Sequence, residues 1–322
     1  MQTADKMAKL MPGGEALASI HQAIATYNSS RTDAENVAWR NALIYLGAFG
    51  AVCLTGLYFI LRSAPRELYG ESGFWALAGG LAFIGYSLWK KAWQPVRQFQ
   101  QSTKARLVPV ICGFVENLRY SHETTPSFMP WLPAAALVQH SRIAHDDLIS
   151  GHHEGMDFEL GEVVFWIKSG KNSEKKTFEG AIFHCRAIID FAGVLIVSKR
   201  SSWGEWFNIG NRATGPLIEV PCANKQIAET YEFHSDNPVA AAALVNGPMT
   251  SVILWLAEHW PDGVARIALS GQHIFILVPS KTNHFELPEI HVRLDYERHV
   301  APMTGQLFKL VSTGKLIRGI LS

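Results

Sequence analysis

The chain has 322 residues, 48% hydrophobic and 18% charged, with 29 Lys and Arg against 28 Asp and Glu. That composition rules out a disordered or collagen-like chain and supplies enough apolar surface for a sizeable core. Four isolated cysteines, Cys53, Cys112, Cys185 and Cys222, form no CxxC pair, which argues against a zinc ribbon or a disulfide scaffold and fits a reducing compartment.

At roughly 150 residues per domain the length accommodates about two units, and charge divides the chain accordingly. Residues 1–106 carry 11 basic and 6 acidic side chains, whereas residues 107–322 carry 18 and 22. Leu17, Ile20, Ile24 and Tyr27 recur at helical spacing, so a short amphipathic helix is predicted over 14–28, after a break at Pro12-Gly13. Residues 41–61 then run for 21 positions without a charge, which at about 1.5 Å per residue spans a hydrocarbon core of about 30 Å. After a connector over 62–71, residues 72–89 form a second uncharged run of 18, at the short end for a span. Trp39, Tyr58, Trp75, Tyr86, Trp89 and Trp93 lie near the ends of these runs, where amphipathic rings favour the headgroup layer. The expectation is a transmembrane hairpin over 41–89 behind a cytoplasmic segment over 1–40. The mostly polar residues ahead of it and the missing A-x-A site argue for a retained anchor.

Arg31, Arg40, Lys90, Lys91, Arg97, Lys104 and Arg106 flank the hairpin outside, against Arg62 and Arg66 in the connector, which predicts both termini in the cytoplasm. No acidic residue occurs between Glu71 and Glu116. Lys90, Lys91, Arg97, Lys104 and Arg106 therefore make a basic juxtamembrane linker over 90–106 that can contact anionic lipid, each charge contributing about 1 kcal/mol near such a surface. The same residues also satisfy the positive-inside rule without any lipid specificity. Small residues four apart, such as Gly47 with Ala51 and Ala76 with Gly80, permit close pairing of the spans, and neither run holds an ionisable residue of the kind that marks a transport path.

Residues 107–322 read as a cytoplasmic α+β domain, an antiparallel sheet with packed helices. A helix is predicted over 107–120, then a segment punctuated by Pro126, Pro130 and Pro133. Strand-rich runs follow at 147–150, 156–168, 176–189 and 193–199, separated by turns at 152–155, 169–174 and 190–193. Asp236-Asn237-Pro238 starts a helix over 238–245, and a second helix covers 248–260 before Pro261-Asp262-Gly263. A hairpin around Ser270-Gly271-Gln272 and a closing helix over 305–320 complete the chain. Strands grouped ahead of helices favour α+β over a doubly wound fold.

The hairpin followed by Asp146-Asp147-Leu148-Ile149-Ser150-Gly151, then 158–163, then Phe178-Glu179-Gly180, resembles the bacterial membrane proteins catalogued as domain of unknown function 3137. The resemblance runs over about residues 40–290. It implies bacterial origin and residence in the inner membrane with two spans. It carries no cofactor and no established activity, and it implies a small LemA-like membrane protein as a partner class.

Chemical motifs are scarce. His140, His145, His152 and His153 gather around Asp146, Asp147 and Glu154, and imidazole with carboxylate is a zinc or iron donor set. The spacing matches no metal motif, since His153-Glu154 lacks the second histidine of HExxH. The competing reading of Asp146, Asp147, His152 and His153 is a polar turn in which Gly151 and Gly155 supply positive φ, with Gly180 a further turn glycine. A phosphate loop and a Gly-x-Ser-x-Gly elbow are both missing. The soluble part is net acidic, so nucleic acid is not an expected partner. The sequence thus points to a membrane-anchored binding or scaffolding module. Its rivals are a membrane-surface enzyme using residues 140–162 and a subunit of a larger membrane assembly.

Overall fold

The computed structural model describes residues 14–63, 71–170, 173–200, 217–260, 263–280 and 285–321. The expected break at Pro12-Gly13, most of the 62–71 connector and the turn at Pro261-Asp262 lie outside them. The described residues divide into a helical unit, Ala18–Leu107 with Leu287–His299, and a sheet unit, Val108–Glu286 with Val300–Ser322 and residues 14–17.

The helical unit is built on α1 (Gly14–Ser63), α2 (Glu71–Ala92) and α3 (Gln94–Ile111). The predicted short helix and the first apolar run are one continuous 50-residue helix, because nothing between them breaks the backbone ladder. Ile20, Ile24 and Tyr27 are buried at the expected spacing, and Tyr27 stacks on Phe99 of α3 with ring centroids 5.2 Å apart. Further along, α1 and α2 touch through side chains. Trp39 meets Trp89 and Trp93 at 5.8 and 5.6 Å, Lys91 lies over the Tyr45 ring, and a Cβ on Gly85 would sit 3.7 Å from Phe49. Around these contacts the apolar surface points outward, with Leu43, Val52 and Phe83 each about seven-tenths exposed (74%, 69% and 71%). By length and composition α1 contains a stretch, Leu17–Phe59, able to cross a membrane, whereas the 22-residue α2 falls short of that measure.

The predicted linker is helix throughout, the end of α2 and then α3, which restart after Trp93 where Pro95 lacks the amide to continue the ladder. Residues 287–299 are tied to these helices. Asn28 bonds Leu294 twice, Nδ2 donating to its carbonyl at 2.8 Å and Oδ1 accepting its amide at 2.9 Å. Arg31 and Gln100 donate to the carbonyls of Ile290 and Pro288.

In the sheet unit, residues 107–120 are not a helix. α3 ends at Ile111, and β1 (Glu116–His122) follows the glycine at 113. Pro109 falls in the last turn of α3. β1 is a weakly apolar edge strand recognisable only by its pairing with β2 (Arg142–His153). β3 (Met156–Lys168) and β4 (Glu174–Lys199) extend the meander, and β5 (Ile218–Glu219), β6 (Tyr231–Ser235) and β7 (Arg266–Pro279) complete a seven-stranded antiparallel sheet ordered β1-β2-β3-β4-β6-β5, with β7 also on β4. Two predicted breaks are irregularities within strands. Residues 190–193 are a register shift inside β4, and Gly271 at φ 56° is one inside β7, so the expected hairpin there is a single bent strand. Each half of β4 pairs with one half of β7, which keeps both running across the bend.

Two short helices, α4 (Ala134–Leu137) and α5 (Lys225–Thr230), lie between strands in sequence, and longer helices close one face. α8 (Ala301–Ile320), which begins four residues earlier than expected, lies against β4 and β7 so closely that a Cβ on Gly314 would be 2.2 Å from Phe183. α6 (Pro238–Val245) and α7 (Met249–His259) meet at 58° and are apolar enough together to pass for a broken span, but Val245, Val252 and Leu256 are buried in this unit. Asn237 caps α6 through Oδ1 to the amide of Ala240. On the opposite face Phe128, Leu132, Leu137 and Val138 pack on Phe165, Ile182, Phe275 and Leu277. Gly161 admits this proline-punctuated segment, since its Cβ would come within 2.9 Å of Pro126.

Candidate functional site

The four residues proposed from sequence as a ligand cluster are not together. His153 is buried and donates through Nδ1 to the carbonyl of Phe114 at 2.9 Å, and His152 pairs with Asp157 at 2.7 Å. Asp146 and Asp147 instead meet His122, a residue the sequence reading did not consider. They sit at the register shift of β2, and the pairing of His122 with Asp147 brings Nδ1 to 3.1 Å from Asp146 and 3.2 Å from Asp147. Tyr120 donates to Asp147 at 2.6 Å. Burial, followed by that hydrogen bond and the two carboxylates, raises the Tyr120 pKa well above its ordinary value. The three donor groups lie within 4.8 Å of one another and are of a type that could hold a divalent cation. The Asp147 side chain is fully buried, and Tyr120 and His122 already satisfy its Oδ1. A local hydrogen-bond network accounts for the arrangement without an ion.

Gly155 supplies the expected positive φ in a turn, whereas Gly151 and Gly180 lie within strands. The β2–β3 turn is Glu154 at φ 47° and Gly155 at φ 77°, a two-residue hairpin with both central residues left-handed. Gly151 lies within β2 with no positive φ. It is small because a Cβ there would lie 2.3 Å from Val115 and 3.2 Å from the carbonyl of Glu116. Gly180 is mid-strand in β4, where a Cβ would meet the Val278 carbonyl at 2.1 Å. Of the basic linker residues Lys90, Lys91, Arg97 and Arg106 are exposed, but Lys104 is buried and unavailable to a lipid surface.

A concavity with a volume of about 500 Å³ lies on the face of the sheet opposite the body of α8, beyond the edge of the 126–138 segment, with Arg318 of α8 at its rim. Strand register explains its lining. Arg119, Ser150, Glu159, His184 and Phe275 are successive cross-strand partners over β1, β2, β3, β4 and β7, so they share one face. Two residues on, His152 with Asp157 and Arg186 with His273 form a second row on the same face. His184 and His273 bond through Nε2 and Nδ1 at 3.0 Å, backed by Phe128 and Phe275. Burial, then the nearby His273 and Arg186, lowers the His184 pKa to about 3, and burial also lowers that of His273. The pair is therefore neutral near pH 7, one ring donating and the other accepting. Trp131, 59% exposed, lies flat on His273 at 5.0 Å and 12°. The thiol of Cys185 belongs to the other face, where burial pushes it up to about 12 and leaves it inert.

Sequence periodicity concealed this site because its residues come from five strands, a loop and α8, and only the tertiary fold assembles them.

Residues 176–313, from β4 to the latter part of α8, match the family described as Protein of unknown function (DUF3137). The stretch around 146–163 that carries part of the resemblance lies ahead of this match, which extends past residue 290. No curated protein matches. Among solved structures, the crystal structure of the mycobacterial trehalose monomycolate transport factor A, TtfA, is similar at 10% identity over 69% of this chain and 92% of that chain, with a TM-score of 0.37. A likeness that distant carries no functional argument.

Proposed function

We propose that the protein is a membrane-anchored binding module. In this reading α1 and α2 cross the bacterial inner membrane as a hairpin, the N-terminus and sheet unit lie in the cytoplasm, and Lys90, Lys91, Arg97 and Arg106 rest against anionic headgroups. The sheet cleft is the binding face. A small membrane protein of the LemA-like type is the macromolecular partner that the family resemblance implies.

The observation that carries the proposal is the outward apolar surface of α1 and α2, bounded by the Trp39, Trp89 and Trp93 cluster with the exposed Lys90 and Lys91 set among these rings. In water such a surface would be an association hazard, whereas in a bilayer it is the solvent-matched face. The side of the membrane is tested by labelling intact cells with an impermeant maleimide after Arg66→Cys or Ser102→Cys, over the background of the native chain. Labelling at position 66 with protection at 102 is expected. Labelling at 102 alone would reverse the topology.

A further inference from the structure

The cleft carries positive charge that the protein does not use. Its carboxylates are engaged: Asp157 by Nδ1 of His152 at 2.7 Å, and Glu159 by the amide of Ser127 at 3.0 Å. Its arginines largely are not. Arg119 and Arg186 are exposed, and among the described residues neither has a hydrogen bond or ion pair. Arg318 reaches the same cleft from α8, giving Nη1 to the carbonyl of Gly155 at 2.7 Å while its buried Nε has no acceptor. Elsewhere on the surface arginines do find partners, as Arg142 does with Glu174 in a two-pronged pair. The contrast marks the cleft as a place where guanidinium forks are left open.

Arg119 and Arg186 stand on β1 and β4, three strand spacings across and two residues along the strand, or about 16 Å apart at the backbone, and both project from the same face. A phosphoryl group offers three oxygens around one centre, enough to meet both forks at once, and the planar donors of arginine match it bidentately. Beside the arginines the neutral His184–His273 pair contributes no competing charge, and Trp131 presents a flat apolar ring at the rim.

We propose that this cleft is a phosphoryl-binding site, in which Arg119 and Arg186 grip the phosphate of a phosphomonoester and Trp131 packs against the body of the ligand. The phosphate can belong to a soluble metabolite or to a lipid headgroup, since the chemistry at the arginines is the same. The inference does not depend on the membrane orientation proposed above.

The test uses the full chain in phosphatidylcholine nanodiscs. Glycerol 3-phosphate is titrated by calorimetry, and in a second arm phosphatidic acid is placed in the nanodisc and its phosphorus resonance is followed. In at least one arm, binding should weaken tenfold or more in Arg119→Gln with Arg186→Gln. It should be unchanged in Arg142→Gln, whose guanidinium lies outside the cleft. Loss confined to the glycerol 3-phosphate arm assigns a soluble ligand, and loss confined to the phosphatidic acid arm assigns a headgroup. Because neither exposed arginine has a hydrogen bond or ion pair among the described residues, the double variant should keep the melting curve of the parent, which separates loss of binding from loss of fold. Binding that is equal in the parent and the double variant, or missing in both arms, would overturn the proposal.

Discussion

Single atoms decide several features of this protein. Gly314 and Gly155 are both glycines, yet they are held for opposite reasons. A Cβ at 314 would press into the buried Phe183 ring, whereas Gly155 faces open space and is constrained by φ 77° alone. Gly314→Ala should therefore destabilise by about 1–3 kcal/mol through overpacking. Gly155→Ala should cost about 1–2 kcal/mol from the left-handed backbone, and thermal denaturation of the two variants against the parent checks both. At His184 the folded state holds the pKa near 3 against an ordinary 6.5. Between these values the unfolded chain binds the proton and the folded chain does not, so this contribution is present above pH 6.5 and is lost as pH falls toward 3. His184→Gln should consequently be most destabilising at pH 8, with the difference from the parent shrinking at pH 5. An unchanged difference across that range would contradict a neutral buried imidazole. Tyr120→Phe removes the 2.6 Å bond to the buried Asp147. The expected loss is about 1–3 kcal/mol, measured by chemical denaturation.

At the scale of elements, the side-chain ties between segments distant in sequence are the sensitive points. Asn28 holds the backbone of Leu294 by both its amide groups across 266 positions of sequence. Asn28→Ala should raise the hydrogen-exchange rate of the Leu294 amide at least tenfold while leaving the sheet amides unchanged. Equal protection in the variant would show that packing alone holds 287–299. The elements legible in the sequence were those whose signal is local: the apolar run of α1, the Asn237-Pro238 start of α6, and the β-branched and aromatic runs of β3 and β4. The errors occurred where tertiary pairing overrides local preference. The apolar residues 107–111 do continue a helix, but Glu116–His122 lacks a strand signature and becomes β1 only by adding to β2. Gly271 reads as a hairpin turn, yet β4 bends beside it and keeps β7 continuous. For the same reason His122 was invisible as the partner of Asp146 and Asp147, being 24 positions before them and adjacent only through antiparallel register.

At the scale of the whole molecule the composition is divided between two solvents. The sheet unit buries its apolar residues on both faces, whereas α1 and α2 display theirs. Water penalises that display and a hydrocarbon core does not, so the division itself argues for an anchor with the exposed Lys90 and Lys91 at its tryptophan boundary. The four exposed basic residues of the former linker should add an electrostatic component. Lys90→Gln with Lys91→Gln, Arg97→Gln and Arg106→Gln should leave insertion intact but remove the salt-dependent preference of the full chain for vesicles containing anionic lipid over neutral ones. The central claim, that α1 and α2 are held within a bilayer, is tested most directly by extracting cell membranes containing the full chain with alkaline carbonate and then with detergent. The account predicts that the protein stays in the carbonate pellet and is released only by detergent. Quantitative release by carbonate would contradict it.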